Sequence, residues 1–438
     1  MKDQLDMQES ISGSPGVEVT ETFASTALSP RTAAPNLMLV CESLTPALGG
    51  APIILRRLLS DYPGCVSLLS GHSRAALNPD EAAMWEEVRR APWLSSSGRI
   101  RRRLAPFVNI LALPFIERAA VRFATDRQVA AILASPSAGS EFFMAAYRAS
   151  RTLSVPFLTY LMDDWVWGAG RRSFVHASIV RRVFPKILER SAKVWAISEF
   201  MAEQLASRYG VASTVLPPPV DVDRYQLAKR VSEGSVARNG VSIVYTGAVY
   251  AAQADAIVNF LRALESVAWK VAGRPVRLTL YTHASQLWLR RMGIAAGRVA
   301  IRTAPLEDMP TVLADADVLL LPYSFDIQWR PITSTSLPTK TADYLASGVP
   351  ILVHGPPWST VVRYARTHRF GLVVDKLEPS LLIRGLQLIL TDRIFARELS
   401  ARALVTARQF HDLPTARRRF LDAIRTVVGT EANMPEGQ

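Results

Sequence analysis

Residues 315–355 read DADVLLLPYSFDIQWRPITSTSLPTKTADYLASGVPILVHG, and the rest of the chain is organised around them. Val318 to Leu321 is an apolar run of strand length, continuous enough to be buried on both faces. Pro322 ends it, and a polar loop from Ser324 to Leu337 follows, with Asp326, Arg330 and a Ser/Thr cluster. Pro338 suits the first turn of a helix, where its missing N–H has no role. The helix runs from Thr339 to Ser347 and stops at Gly348, a natural C-terminal cap. A second apolar strand, Pro350 to Val353, comes directly after. The unit is βαβ, so an anionic ligand is expected at the strand's carboxyl end, near the loop and the Lys340 end of the helix.

Leu337 to Leu352, LPTKTADYLASGVPIL, resembles the nucleotide-sugar signature of two-domain GT-B glycosyltransferases, in particular the glycosyltransferase 4-like group. That group carries an acidic residue, usually Glu, five positions before the Gly of Gly-x-Pro. Here it is Asp343, and the resemblance implies a contact with the nucleotide ribose. The sugar-facing Glu expected eight positions earlier is replaced by Thr335. Members with a Pro-x-Lys helix start place the Lys on the diphosphate, which implies that role for Lys340. On residues alone, Lys340 and Asp343 could equally solvate a helix face.

The chain has 438 residues, long enough for two domains. Its 49% hydrophobic content fits a well-buried α/β protein, and no run approaches the roughly 20 apolar residues that span a bilayer. Residues 1–35 are polar, without a signal-peptide pattern, and are expected to form a disordered tail. Cys41 and Cys65 match no metal spacing; buried thiols in a reducing, cytoplasmic compartment are expected. A net charge of +13 calls for an anionic partner. Nucleotide, anionic membrane and nucleic acid all meet that description.

Asn36 to Cys41 reads as the first strand, followed by a loop ending in Gly49 and Gly50 and a helix from Pro52 to Leu59. The glycine pair allows close backbone approach. A tight turn explains it as well as a ligand does, but the resemblance places such a pair at an interdomain cleft. Arg89, Arg90, Arg99, Arg101, Arg102 and Arg103 then stand with no acidic residue between Val88 and Ile116, ahead of an apolar run from Leu104 to Ile116. Contact with an anionic membrane, a core helix with a solvated basic face, and an acidic carrier or RNA compete here. No RNA-binding signature accompanies the charge, and no nucleic acid is expected.

Strand, helix and strand alternate from Val129 to Leu161, the mark of a parallel sheet. The last strand leads into Asp163 and Asp164. Carboxylates at the carboxyl end of a parallel strand sit in catalytic position, and two adjacent ones raise each other's pKa, so both are candidate general bases. Capping the loop, or pairing with Arg171 or Arg172, is the plainer role. The resembled group often has His-Asp here. Ser198 caps a helix to Tyr209, and a Pro-rich run, Pro217-Pro-Pro-Val-Asp-Val-Asp, resembles the group's exit from its first domain.

Val241 to Thr246 and Gly247 form a strand and a Gly turn. Where the resembled group carries a diphosphate-binding Arg and Lys, this chain has Ala248 and Gln253. Diphosphate neutralisation then falls to Lys340 and Arg330.

The expectation is α/β with GT-B architecture: two Rossmann-like parallel-sheet domains facing a central cleft. An acceptor-side domain spans 36–216, a linker 217–240 and a nucleotide-sugar domain 241–425, whose terminal helix crosses back. The implied donor residues are Gly247, Arg330, Thr335, Lys340 and Asp343, with no metal and no cofactor beyond the nucleotide-sugar substrate. The implied reaction passes a sugar to a hydroxyl of a glycan or lipid-linked acceptor at the inner membrane face, with stereochemistry left open. A GT-B epimerase and a degenerate GT-B scaffold that binds a partner are the alternatives.

Overall fold

The computed structural model describes residues 34–41, 50–70, 85–87, 111–136, 140–172, 174–233, 240–294 and 297–431. Seven parallel strands make the first sheet: β1 (Leu37–Val40), β2 (Val66–Ser70), β3 (Trp85–Glu87), β4 (Ala131–Ala134), β5 (Phe157–Leu161), β6 (Lys193–Ala196) and β7 (Thr214–Val215). Their order is β3-β2-β1-β4-β5-β6-β7. Around them pack α1 (Gly50–Leu59), α2 (Leu113–Asp126), α3 (Ser140–Leu153), α4 (Trp165–Arg172), α5 (Phe174–Glu189) and α6 (Glu199–Tyr209). β1, β4 and β5 are buried at every residue, as strands covered on both faces must be.

α7 (Val222–Glu233) leads to a second sheet: β8 (Val241–Thr246), β9 (Lys270–Val271), β10 (Arg274–Tyr281), β11 (Val299–Arg302), β12 (Val318–Pro322), β13 (Ile351–His354) and β14 (Gly371–Val374). The parallel strands run in the order β11-β10-β8-β12-β13-β14, with β9 antiparallel at the side of β10. The helices used below are α8 (Ala251–Ser266), α9 (Gln286–Arg291), α10 (Met309–Ala314), α11 (Arg330–Thr333), α12 (Lys340–Ser347), α13 (Thr360–His368), α14 (Pro379–Thr391), α15 (Arg393–Thr406) and α16 (Leu413–Glu431). Strand order reverses between β1 and β4 in one sheet and between β8 and β12 in the other. Ligands of such sheets bind at these two places.

α16 crosses back to the first domain, where Phe420 packs 5.0 Å from Trp195. Arg417 donates from Nε to Arg57 O at 2.7 Å and also grips Ser60 and Asp61. The outgoing and returning chains are bonded to each other: Val220 N donates to His411 O at 2.7 Å and Leu413 N to Val220 O at 3.0 Å. Residues 407–411 form a π-turn at this crossing. One apolar cluster runs from Leu37 and Phe157 through Leu337 and Tyr344 to Phe420, so the two halves share a core.

Some expectations change. The Pro-rich exit is not all linker: Asp221 Oδ1 accepts from Arg224 N at 3.1 Å and starts α7, which buries Val222 and Tyr225. The polar loop before Lys340 contains a short helical turn at Ile327–Trp329 and α11. Leu113 to Ile116 opens α2, with Leu113 and Ile116 buried and Phe115 exposed. Cys41 is buried, but Cys65 is exposed, against the expectation of two buried thiols. Gly49 and the arginines at 89, 90, 99, 101, 102 and 103 lie outside the described residues. Among the described residues no helix is long and apolar enough to cross a membrane.

Candidate functional site

Lys340, first residue of α12, points back along the end of β8. Its Nζ donates to Tyr245 Oη at 2.5 Å and lies 3.8 Å from the centre of that ring. Tyr245 Oη in turn donates to Ala248 O at 2.5 Å. Gly247 has a φ of +103°, and a Cβ there would stand 3.1 Å from Lys340 Cε and Nζ. The turn therefore requires glycine both for its backbone and for the space Lys340 occupies. Thr246 N donates to Tyr344 Oη at 2.8 Å, pinning α12 to β8. Burial alone lowers the Lys340 amine to about 7.

Asp343 faces the first domain. Its Oδ1 accepts from Arg57 Nη2 at 2.8 Å, and Arg57 Nη1 donates to Pro219 O at 2.8 Å. Gly50, at the start of α1, comes so close to Thr339 that an added Cβ would overlap Thr339 Oγ1. Gly50, Asp343 and Lys340 are thus brought to one seam.

The adjacent carboxylates separate. Asp164 is largely buried: Oδ1 accepts from Trp167 N at 2.9 Å, capping α4, while Oδ2 accepts from Gln204 Nε2 at 3.2 Å with Arg208 at 3.5 Å. Its place is structural. Asp163 opens to the cleft and accepts from Ser336 Oγ of the second domain at 2.7 Å. Protein packed around the opening limits its hydration. Desolvation raises its pKa, the Ser336 hydrogen bond pulls it back, and the charge of Asp164 adds to the rise. Tyr323 donates to Ser336 O at 2.9 Å, steadying this contact.

Thr335 is buried with its hydroxyl donating to Pro331 O at 3.0 Å, turned into its own turn of chain. Its carbonyl accepts from Ser198 Oγ at 2.5 Å, and that serine Oγ caps α6 by accepting from Met201 N at 3.1 Å. Arg330 is exposed, its guanidinium 5.7 Å from the Trp358 ring centre. Arg171 stacks instead on aromatic rings, 4.3 Å from Trp329 and 5.0 Å from Trp167, bridging the domains beside the cleft.

Tyr245, Ser336 and Arg57 were not singled out from sequence, and Ser198 was read only as the helix cap that it is. Ser336 adjoins Thr335 and so sat within reach of the motif. Arg57 lies 286 positions from Asp343, and nothing local marks it.

No family model matches the chain, and no curated protein sequence matches it. Solved structures do. Sucrose-phosphate synthase from Thermosynechococcus elongatus superposes with a TM-score of 0.66 at 13% identity, covering 90% of this chain and 100% of that one. HepE from Anabaena, solved in complex with UDP and glucose, gives 0.62 at 15% identity over 90% and 100%. The α,α-trehalose 6-phosphate synthase from Burkholderia multivorans gives 0.61 at 13% over 91% and 99%. The fold is the GT-B fold of these glycosyltransferases: two parallel-sheet domains closing on a cleft.

Proposed function

We propose that the chain is a glycosyltransferase that moves a sugar from a nucleotide-diphosphate donor to an acceptor hydroxyl. The observation that carries this reading is Lys340, a desolvated amine with no carboxylate beside it among the described residues, at the switch point of the second sheet. An uncompensated buried amine is costly unless an anion arrives to share the site. HepE, of the same fold, was solved with UDP and glucose bound, which fits a nucleotide sugar here.

In this reading the diphosphate lies against Lys340 and the Gly247 turn, with the ribose toward Asp343. Asp163 takes the proton of the acceptor hydroxyl as its oxygen bonds to the anomeric carbon. The bond from that carbon to the diphosphate oxygen breaks, and Lys340 balances the charge left on the diphosphate. Arg330 is exposed and the Thr335 hydroxyl is bonded to Pro331 O, so this reading gives the diphosphate to Lys340. We assign the acceptor to the lipid-linked or polysaccharide class, held at a membrane through the arginines at 89–103. The Lys340 amine supplies the charge that a metal would otherwise bring.

Thermal unfolding of the full chain against UDP-, GDP-, ADP- and dTDP-sugars tests the donor site, since a bound donor stabilises by mass action. One nucleotide is expected to raise the midpoint, and Lys340→Ala and Asp343→Ala to abolish or reduce the rise. A flat response to all four sinks the reading. For the acceptor class, failure to bind anionic vesicles at low salt removes the membrane element.

A further inference from the structure

The Lys340 pocket has a second property. Tyr245 has committed its hydroxyl hydrogen to Ala248 O, so toward Lys340 its oxygen only accepts. Whether the amine carries two hydrogens or three, one is held by this phenol. The rest point away from Tyr245, and Gly247 leaves the space beside the amine free of a side chain.

The titratable groups around the amine are three phenols and two carboxylates. Burial raises the phenols of Tyr245 on β8, Tyr250 before α8 and Tyr344 on α12, Tyr250 to about 12. Asp343, on the same helix, is engaged by Arg57. Asp163 exerts its charge on Tyr250 and Tyr323. Burial lowers Lys340 itself, and the Tyr245 oxygen is the acceptor its amine meets.

We propose that Tyr245 is a positioning residue for Lys340, and that an arriving esterified diphosphate draws one proton from solvent onto the Lys340 amine. No bond of the donor breaks in this step; the anion restores the partner that an ammonium needs in a buried site. The inference rests on the donor reading above and deepens it.

The test is titration calorimetry of the full chain with UDP-, GDP-, ADP- and dTDP-glucose in two buffers of different ionisation heat, at pH 6, 7 and 8. Both phosphates of such donors are esterified, so they lack the ionisation near pH 6 of a terminal phosphate. Proton uptake is expected to rise from near zero at pH 6 toward one per site at pH 8. Affinity should fall by up to about tenfold per pH unit above about 7. Lys340→Arg stays charged and should bind without uptake. Tyr245→Phe should weaken binding about tenfold and move the inflection to lower pH, because the lost oxygen favoured the ammonium. A purely structural tyrosine would weaken binding and leave the inflection in place. Equal heats in both buffers at pH 8, or uptake that survives Lys340→Arg, overturn the inference and leave the donor site standing. Binding of none of the four donors overturns the donor site itself.

Discussion

Arg57 and Asp343 join the two domains through one guanidinium, 2.8 Å from the carboxylate and 2.8 Å from the carbonyl of Pro219 in the crossing segment. Arg57 O accepts in turn from Arg417 of the terminal helix. A single residue of α1 thus holds α12, the outgoing chain and the returning helix. The side chains are only 15% and 11% exposed, so neither charge has water to fall back on.

Arg57→Met should therefore cost roughly 3 kcal/mol, the usual penalty for stranding one member of a buried pair. Urea unfolding measures it. Adding Asp343→Leu should return a large part of the loss, since the stranded carboxylate is then gone. A single variant as stable as the parent shows that the pair contributes nothing.

Gly50→Ala places a methyl on Thr339 Oγ1. Overpacking of this kind costs about 1–3 kcal/mol, and here it also wedges the seam beside Lys340, so donor affinity should fall with stability. Thr339→Ala removes the struck atom. The double variant should recover most of both losses, and a Gly50→Ala protein that unfolds and binds like the parent refutes the close approach.

Asp163 offers two shifts of opposite sign. As a base it must be deprotonated, so activity falls on the acid side of its pKa. Ser336→Ala removes the hydrogen bond that lowers this pKa, and the acid limb should move to higher pH. Asp164→Asn removes a charge that raises it, and the limb should move to lower pH. Asp163→Asn should cost about 10²–10⁴ in turnover. The pH profiles of kcat/KM decide, and limbs that move together, or not at all, exclude Asp163 as the base.

His411 is buried at the domain crossing, donating from Nδ1 to Pro218 O at 2.7 Å and accepting at Nε2 from Tyr364 Oη at 2.9 Å. Burial lowers it to about 4, against about 6.5 in the unfolded chain. Between those values the unfolded state binds the extra proton, so stability is full above pH 6.5 and declines as pH falls toward 4. The loss attributable to this residue is roughly 3 kcal/mol. Unfolding of parent and His411→Asn at pH 7 and pH 4.5 isolates it; equal losses in the two proteins dismiss the histidine.

Much of the fold was legible because parallel strands announce themselves. Val318–Leu321 and Pro350–Val353 are unbroken apolar runs, and a strand buried on both faces has no polar alternation to hide it. The helix between them carried its own stop at Gly348. Lys340 and Asp343 were legible through the spacing of one motif, and Asp163 through its place after a strand. Less legible were α4 and α5, which follow a loop with no clear punctuation, and α7, masked by its Pro-rich approach.

By itself, then, the sequence determined the βαβ units, the two-domain organisation and which residues lie at the ends of strands, because those follow from local pattern. Only the tertiary structure decided their uses. It turned Asp164 inward to cap α4 and left Asp163 to meet Ser336. It turned Thr335 into its own chain, stacked Arg171 on Trp329 and set Tyr245 beneath Lys340. It paired Asp343 with Arg57 across the domains. Hydrogen bonds and ion pairs depend on distances of a few ångströms between residues far apart along the chain, and those distances exist only once the two sheets have closed on a shared core.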